Sequence, residues 1–231
     1  MDTIVYKIIL MGQAGVKLQT MTYADQAFNR LLQSIRKGEL RQGDRLTEDK
    51  VAALLGMSRT PVREALGRLV SRGLAEVSIG RTLAIRRLER AQVIELYEMR
   101  QILEGAAARL AAKHASKAEI FSLEQILVST KPVKGQVKHK PSEMAQINND
   151  FHEAILQATH NRYLKHQAEQ LSESLWLLNG TTFSHKGRSE QAFDEHQAIV
   201  KAIAEGDEDG AEQAARLHIE KSLQARLSMG I

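Results

Sequence analysis

Residues 46–85 constrain this chain most. Val51, Ala52, Leu54 and Leu55 recur at helical spacing and give a short helix one apolar face. Thr47 can cap its first amides, and Glu48 and Asp49 lie at its positive end. Gly56 ends it, because glycine accepts the left-handed conformation of a helix stop. Ser58 is placed to cap a second helix, with Pro61 in the first turn, where a missing N–H costs nothing. Val62, Ala65, Leu66, Leu69 and Val70 form that helix's buried face, with Arg59, Thr60, Arg63, Glu64 and Arg68 opposite. Residues 75–79 and 82–86 are short β-prone runs around Gly80 and Arg81, the pattern of a small hairpin or wing.

An exposed first turn holding Ser58, Arg59, Thr60 and Arg63 suits a DNA major groove. Its hydroxyls and free amides meet phosphate, and arginine forks meet the two acceptors of guanine. The same spacing also fits a solvated helical hairpin in an ordinary bundle; the wing favours DNA. Charge follows the same division. Residues 1–90 hold 16 Lys/Arg against 9 Asp/Glu, while residues 91–231 hold 16 against 19, within a net +4. The basic excess therefore lies where phosphate attraction requires it.

The runs Gly43-Asp44-Arg45-Leu46-Thr47-Glu48 and Leu54-Leu55-Gly56-Met57-Ser58-Arg59-Thr60-Pro61-Val62-Arg63-Glu64-Ala65-Leu66, followed by Arg68-Leu69 and Gly73-Leu74, resemble the winged helix-turn-helix of the GntR family of bacterial transcription regulators. The resemblance implies that Arg59, Thr60, Pro61 and Arg63 face an operator and that the Gly80 turn enters the minor groove. With the neighbouring polar positions, the expected DNA-binding set is Arg45, Ser58, Arg59, Thr60, Pro61, Arg63, Arg68, Gly80 and Arg81. Some FadR-type relatives carry a DNA-contacting arginine in the first helix of the motif. Asp49 stands there instead.

Length and composition bound the rest. A chain of 231 residues with 43% hydrophobic content holds a sizeable core, and 4% aromatics with 3 prolines lean towards helix. The absence of cysteine excludes disulfides and thiolate metal sites and fits a cytoplasmic protein. Residues 1–21 read as an extension. Their apolar run Ile8-Ile9-Leu10-Met11 is too short to span a bilayer, and Met21 is a candidate alternative start. The first helix is expected over residues 22–37, the winged domain over 22–87, a charged linker at 88–91 and a helical domain over 92–228. Within that last part the spacing predicts helices at 91–113, 116–129, 142–159, 161 to about 181, 188–205 and 207–228. The fold class is thus mainly α, a winged helix-turn-helix followed by an antiparallel helical bundle.

Three of the 8 histidines fall on inward-facing positions. His152 shares a helix face with Asn148, four residues earlier. His196 lies in register with Phe193, Ile199, Val200 and Ile203, and His218 with Ala211, Ala214, Ala215 and Ser222. Three imidazoles and an amide oxygen converging from three helices suit zinc, nickel, iron(II), cobalt or manganese. Singly, an inward histidine is more often a satisfied core residue. Arg100 interrupts the apolar face of the helix at 91–113. It reads either as a paired surface arginine or as an anion-binding arginine inside a pocket.

Here too a resemblance adds to the residues. Tyr97-Glu98-Met99-Arg100, Leu103-Glu104, Asn148-Asn149-Asp150-Phe151-His152, Asn161, Glu195-His196-Gln197-Ala198-Ile199, Gly206-Asp207 and Arg216-Leu217-His218 are similar to the FCD effector domain of the FadR-type branch. That similarity implies metal ligands at Asn148, His152, His196 and His218, a divalent transition metal with zinc or nickel foremost, and Arg100 facing the effector. Many relatives have aspartate where Asn148, a neutral and weaker donor, stands here. The expected protein is a homodimeric, ligand-responsive repressor on a near-palindromic operator, sensing a small carboxylate and having no membrane partner. Two other readings compete with it. A three-histidine metal centre can activate water in an enzyme, with Asp150 or Glu195 as base, and a winged domain can serve as a protein-interaction module.

Overall fold

Helix α1 spans Tyr23–Arg36 because its sequence closes at both ends and is apolar along one side. Thr22 accepts from the Asp25 amide while the Asp25 carboxylate takes the Thr22 amide, and Ala27, Phe28, Leu31 and Ile35 are buried. The structure, a computed structural model, describes residues 21–78, 82–132, 139–178 and 180–230. The expectations placed on residues 1–20 and on Gly80 and Arg81 lie outside them.

Strand β1 (Arg45–Leu46) leads into α2 (Glu48–Leu55), which is capped by Thr47 and stopped by Gly56 at φ 64°. Helix α3 (Arg59–Ser71) follows, then β2 (Ala75–Ser78) and β3 (Thr82–Ile85). The expected hairpin is present as part of a three-stranded antiparallel sheet ordered β1-β3-β2, in which Leu46 pairs with Leu83 and Val77 also faces Leu83. A two-residue strand has no periodicity, so β1 leaves no sequence signal.

Three local expectations change. The spacing predicts Leu54 and Val70 on buried faces, yet they are 61% and 41% exposed. A two-turn α2 buries only Val51 and Leu55, and α3 seats Val62, Ala65, Leu66 and Leu69. Ser58 holds the cap position of α3, but its hydroxyl makes no capping hydrogen bond. That leaves the hydroxyl available at the helix tip.

The remaining helices are α4 (Arg90–His114), α5 (Lys117–Thr130), α6 (Pro141–Ala158), α7 (Arg162–Leu175), α8 (Arg188–Glu205) and α9 (Glu208–Ser228), with a 3-10 turn at Thr182–Ser184. Helix α4 lies along α9, and α9 along α8. Their seam is built from small residues, Ala107, Ala108, Ala111, Ala211 and Ala215, closed by Phe151, Ile155, Ile199 and Ile203. Short side chains allow close helix approach, and the larger ones fill what remains. No helix among the described residues is long and apolar enough to cross a membrane.

Helix α7 was expected to run to about Thr181 and ends at Leu175. The residues that follow have another task. Leu177 is 2% exposed and belongs to the core of the winged domain, with Trp176 packed beside it. Gln42 Nε2 donates to the Leu177 carbonyl at 2.7 Å, and the Arg72 guanidinium meets Glu173 at 2.5 Å. The two halves of the molecule therefore share one packed seam.

Candidate functional site

Helices α6, α8 and α9 bring His152, His196 and His218 to one point, each offering a ring nitrogen within 4.8 Å of the others. The Nε2 atoms of His152 and His218 are 3.2 Å apart. His196 Nε2 is buried and has no hydrogen-bond partner among the described residues. Phe151 stacks on the His196 ring at 4.1 Å between centroids, which fixes its plane.

Carboxylates hold the opposite edges of two rings. His218 Nδ1 contacts Glu195 Oε2 at 2.7 Å, and His152 Nδ1 lies 2.7 Å from Glu104 Oε2. Each carboxylate is itself tied to an arginine: Glu104 to Arg100 at 2.8 Å, Glu195 to Arg188 at 2.9 Å. The hydrogen bond at His218 Nδ1 turns that ring's Nε2 inward and fixes its tautomer, the arrangement that metal-bound histidines use, while Glu104 places a negative charge beside the outer edge of His152. Burial, with the neighbouring imidazoles and Arg188 adding to it, pushes His196 well below its ordinary pKa. His218 is lowered in the same way, by burial first and His152 second. Both rings are thus neutral, the form that donates a lone pair. Burial alone would raise the Glu104 pKa, but Arg100 and His152 outweigh it and hold the carboxyl far below the usual range.

The donor set fits a divalent transition metal. Three imidazoles converge, one of them with an orphaned buried Nε2, and the outer edge of the His218 ring is hydrogen-bonded to Glu195. Asn148 stands one turn before His152 on α6, half-buried, and forms no hydrogen bond with the cluster. Arg100 is 12% exposed and committed to Glu104, with its guanidinium 5.0 Å from the Tyr97 ring centre. It therefore reaches the cluster through a carboxylate.

Glu104 and Arg188 complete this site with Glu195; the sequence gives the first two no role and names Glu195 only as a base in the enzyme reading. Their signals were spacings: four residues from Arg100 to Glu104, seven from Arg188 to Glu195, each pair on one helix face. A buried arginine at the start of a helix, where exposure is usual, is visible only in three dimensions.

In the winged domain, Ser58, Arg59, Thr60 and Arg63 are exposed and Pro61 half-buried in the first turns of α3, and Arg45 is exposed on β1. Arg59 meets Asp49 at 2.6 Å, and Arg63 makes a two-pronged pair with Glu48 at 2.7 and 2.9 Å. Arg68 is placed differently from the other cations. Its guanidinium pairs with Asp25 at 2.8 Å and lies 4.1 Å from the Phe28 ring centre, so it braces α3 against α1.

A winged domain presenting a polar helix tip, seamed to a helical bundle with a histidine centre, defines a DNA-binding transcription regulator with a separate regulatory domain. Residues 23–85 match the model for bacterial regulatory proteins of the gntR family, and residues 95–221 match the FCD domain. The chain belongs to the GntR family, in its FCD-bearing branch. It is similar to the HTH-type transcriptional regulator LutR of Bacillus subtilis, 30% identical over 208 residues, covering 80% of this chain and 92% of LutR. A probable D-xylose utilization operon transcriptional repressor of Paenarthrobacter nicotinovorans is 29% identical over 216 residues, 93% of each chain. Among solved structures, E. coli McbR/YncC superposes with a TM-score of 0.75 at 23% identity, covering 91% of this chain and 99% of that one. The families and relatives matched are transcription regulators, which leaves the enzyme reading without support.

Proposed function

We propose that the chain is a homodimeric repressor that binds a near-palindromic operator and responds to a small carboxylate sensed at a divalent-metal centre. His152, His196 and His218 would hold the ion, zinc or nickel foremost, with the Asn148 side-chain oxygen as fourth donor. The bound ion would supply a fixed positive charge for a carboxylate. The convergence of three ring nitrogens, one of them buried without a partner, carries this reading.

The chain's own residues do the rest. Glu104 and Glu195 aim the rings, and Arg100 contributes a cation that an incoming carboxylate can share with Glu104. At the DNA end, Arg45, Ser58, Arg59, Thr60, Pro61 and Arg63 present donors to base edges and phosphates. Gly80 and Arg81 extend the contact into the minor groove. Effector binding favours one arrangement of the two winged domains, and operator DNA must alter effector affinity by the same factor. Repressor polarity follows the relative whose name records repression. A cytoplasmic location follows from the DNA target.

Native mass spectrometry of protein purified without a metal-binding tag tests the reading. A dimer carrying one metal per subunit is expected, with the metal lost in His196→Ala. A dimer that stays empty when zinc and nickel are supplied would overturn the metal centre.

A further inference from the structure

The start of α8 and the last turns of α9 enclose a cavity of about 470 Å³, apart from the three histidines. Its walls include His185, Lys186, Arg188, Gln191, Lys221 and Gln224, with no aspartate or glutamate lining it among the described residues. Arg188 is the only buried residue of the lining, at 2% exposure, so it forms the floor. Its Nη2 is engaged, donating to Ser222 Oγ at 3.1 Å and lying 2.9 Å from Glu195 Oε2. Its Nε and Nη1 are buried without a hydrogen-bond partner among the described residues.

A buried guanidinium with two idle N–H groups carries a large desolvation cost unless something accepts from it. Planar carboxylates and phosphates match its fork. The charge count points to more than one negative charge on that acceptor. Arg188, Lys186 and Lys221 are fixed cations. The carboxylate behind them is Glu195, whose Oε1 is 3.7 Å from Lys221 Nζ and is otherwise unpartnered. A monoanion leaves this group positive, whereas a dianion balances it.

We propose that this cavity is a second anion site, separate from the histidine centre, and that it binds a small dianion of the dicarboxylate class through Arg188, Lys186 and Lys221. One oxyanion group takes the idle N–H groups of Arg188, and the other meets the lysines at the mouth. The site is placed to regulate. Its floor shares Glu195 with His218, and its wall continues the segment that begins at Trp176 and Leu177, in the core of the winged domain. An occupant clamps that segment against α9.

Malonate, with acetate as the monoanion control, tests the site by titration calorimetry on metal-depleted protein. Malonate is expected to bind wild type and His196→Ala alike, and acetate far more weakly. The double variant Lys186→Glu, Lys221→Glu changes exposed side chains only and so avoids the folding risk of replacing Arg188. It should weaken malonate binding roughly tenfold or more, as loss of charge-assisted contacts does. Undiminished binding in the double variant would overturn the proposal, as would no binding to the metal-depleted wild type. Malonate binding that requires metal and vanishes in His196→Ala would also sink this site while leaving the metal-sensor reading intact. An empty metal centre with lysine-dependent malonate binding would do the reverse.

Discussion

Arg63 gives two hydrogen bonds to Glu48, and that pairing raises its own pKa while lowering that of the carboxylate. On the proposed reading of Arg63 as a base contact, a guanine has to win the fork from an acid that already fits it, and only a base offering both acceptors competes well. Arg63→Ala is expected to weaken operator binding by about 1–3 kcal/mol and to relax preference at one base position. Fluorescence anisotropy on matched and singly mismatched duplexes reads both effects; equal affinity for the variant would remove Arg63 from base reading. At the histidine centre, His196 and His218 have pKa values held below the ordinary histidine value of about 6.5. The unfolded chain takes up protons there before the folded one does. Stability is then full above that value and falls as pH drops below it, because unfolding gains protons. Chemical denaturation followed between neutral pH and pH 5 should show the fall, and His218→Gln should flatten it. At this scale the sequence was informative about which histidines turn inward, since periodicity records inwardness. It was silent on Arg188, because a residue at a helix start has no preceding turn to reveal its face. It gave no sign that Arg68, on the polar face of α3, pairs with Asp25 of α1.

Elements show a different balance between legible and hidden. Caps and stops are written in single residues, so α1, α2, α8 and α9 begin and end within a residue or two of their expected bounds. Gly56 illustrates the strength of such a signal. It ends α2 at φ 64°, and a Cβ there would meet nothing within 4 Å. Gly56→Ala therefore costs only the left-handed backbone conformation, about 1–2 kcal/mol, with no steric clash. Thermal unfolding should register that loss. A larger loss would mean the turn into α3 had been forced to rearrange, and operator affinity would then fall with it. What the elements concealed was anything decided by distant partners. Strand β1 exists because Leu46 finds Leu83, and α7 stops early because its continuation is worth more elsewhere.

For the whole molecule, that continuation matters most. Leu177 lies in the core built from α1, α3 and the sheet, and its carbonyl takes a hydrogen bond from Gln42, 135 residues away in sequence. No local pattern announces such a contact, which is why two domains were legible in the sequence and the seam between them was not. The seam makes a specific demand on signalling. If the histidine centre or the Arg188 cavity moves the segment after α7, the winged domain must respond, because its own core includes that segment. Leu177→Ala should remove a buried side chain at a cost of about 2–5 kcal/mol. The loss falls on the seam, while the bundle's own core of Phe151, Ile155, Ile199 and Ile203 is untouched. The expected result is an unfolding transition that splits in two. Metal binding would be retained by the bundle, and operator affinity would no longer change with effector or malonate. A single cooperative transition with the ligand response preserved would show that the signal travels by another path, of which the linker at Leu88, packed against both the winged core and the α4–α9 core, is the alternative the structure offers.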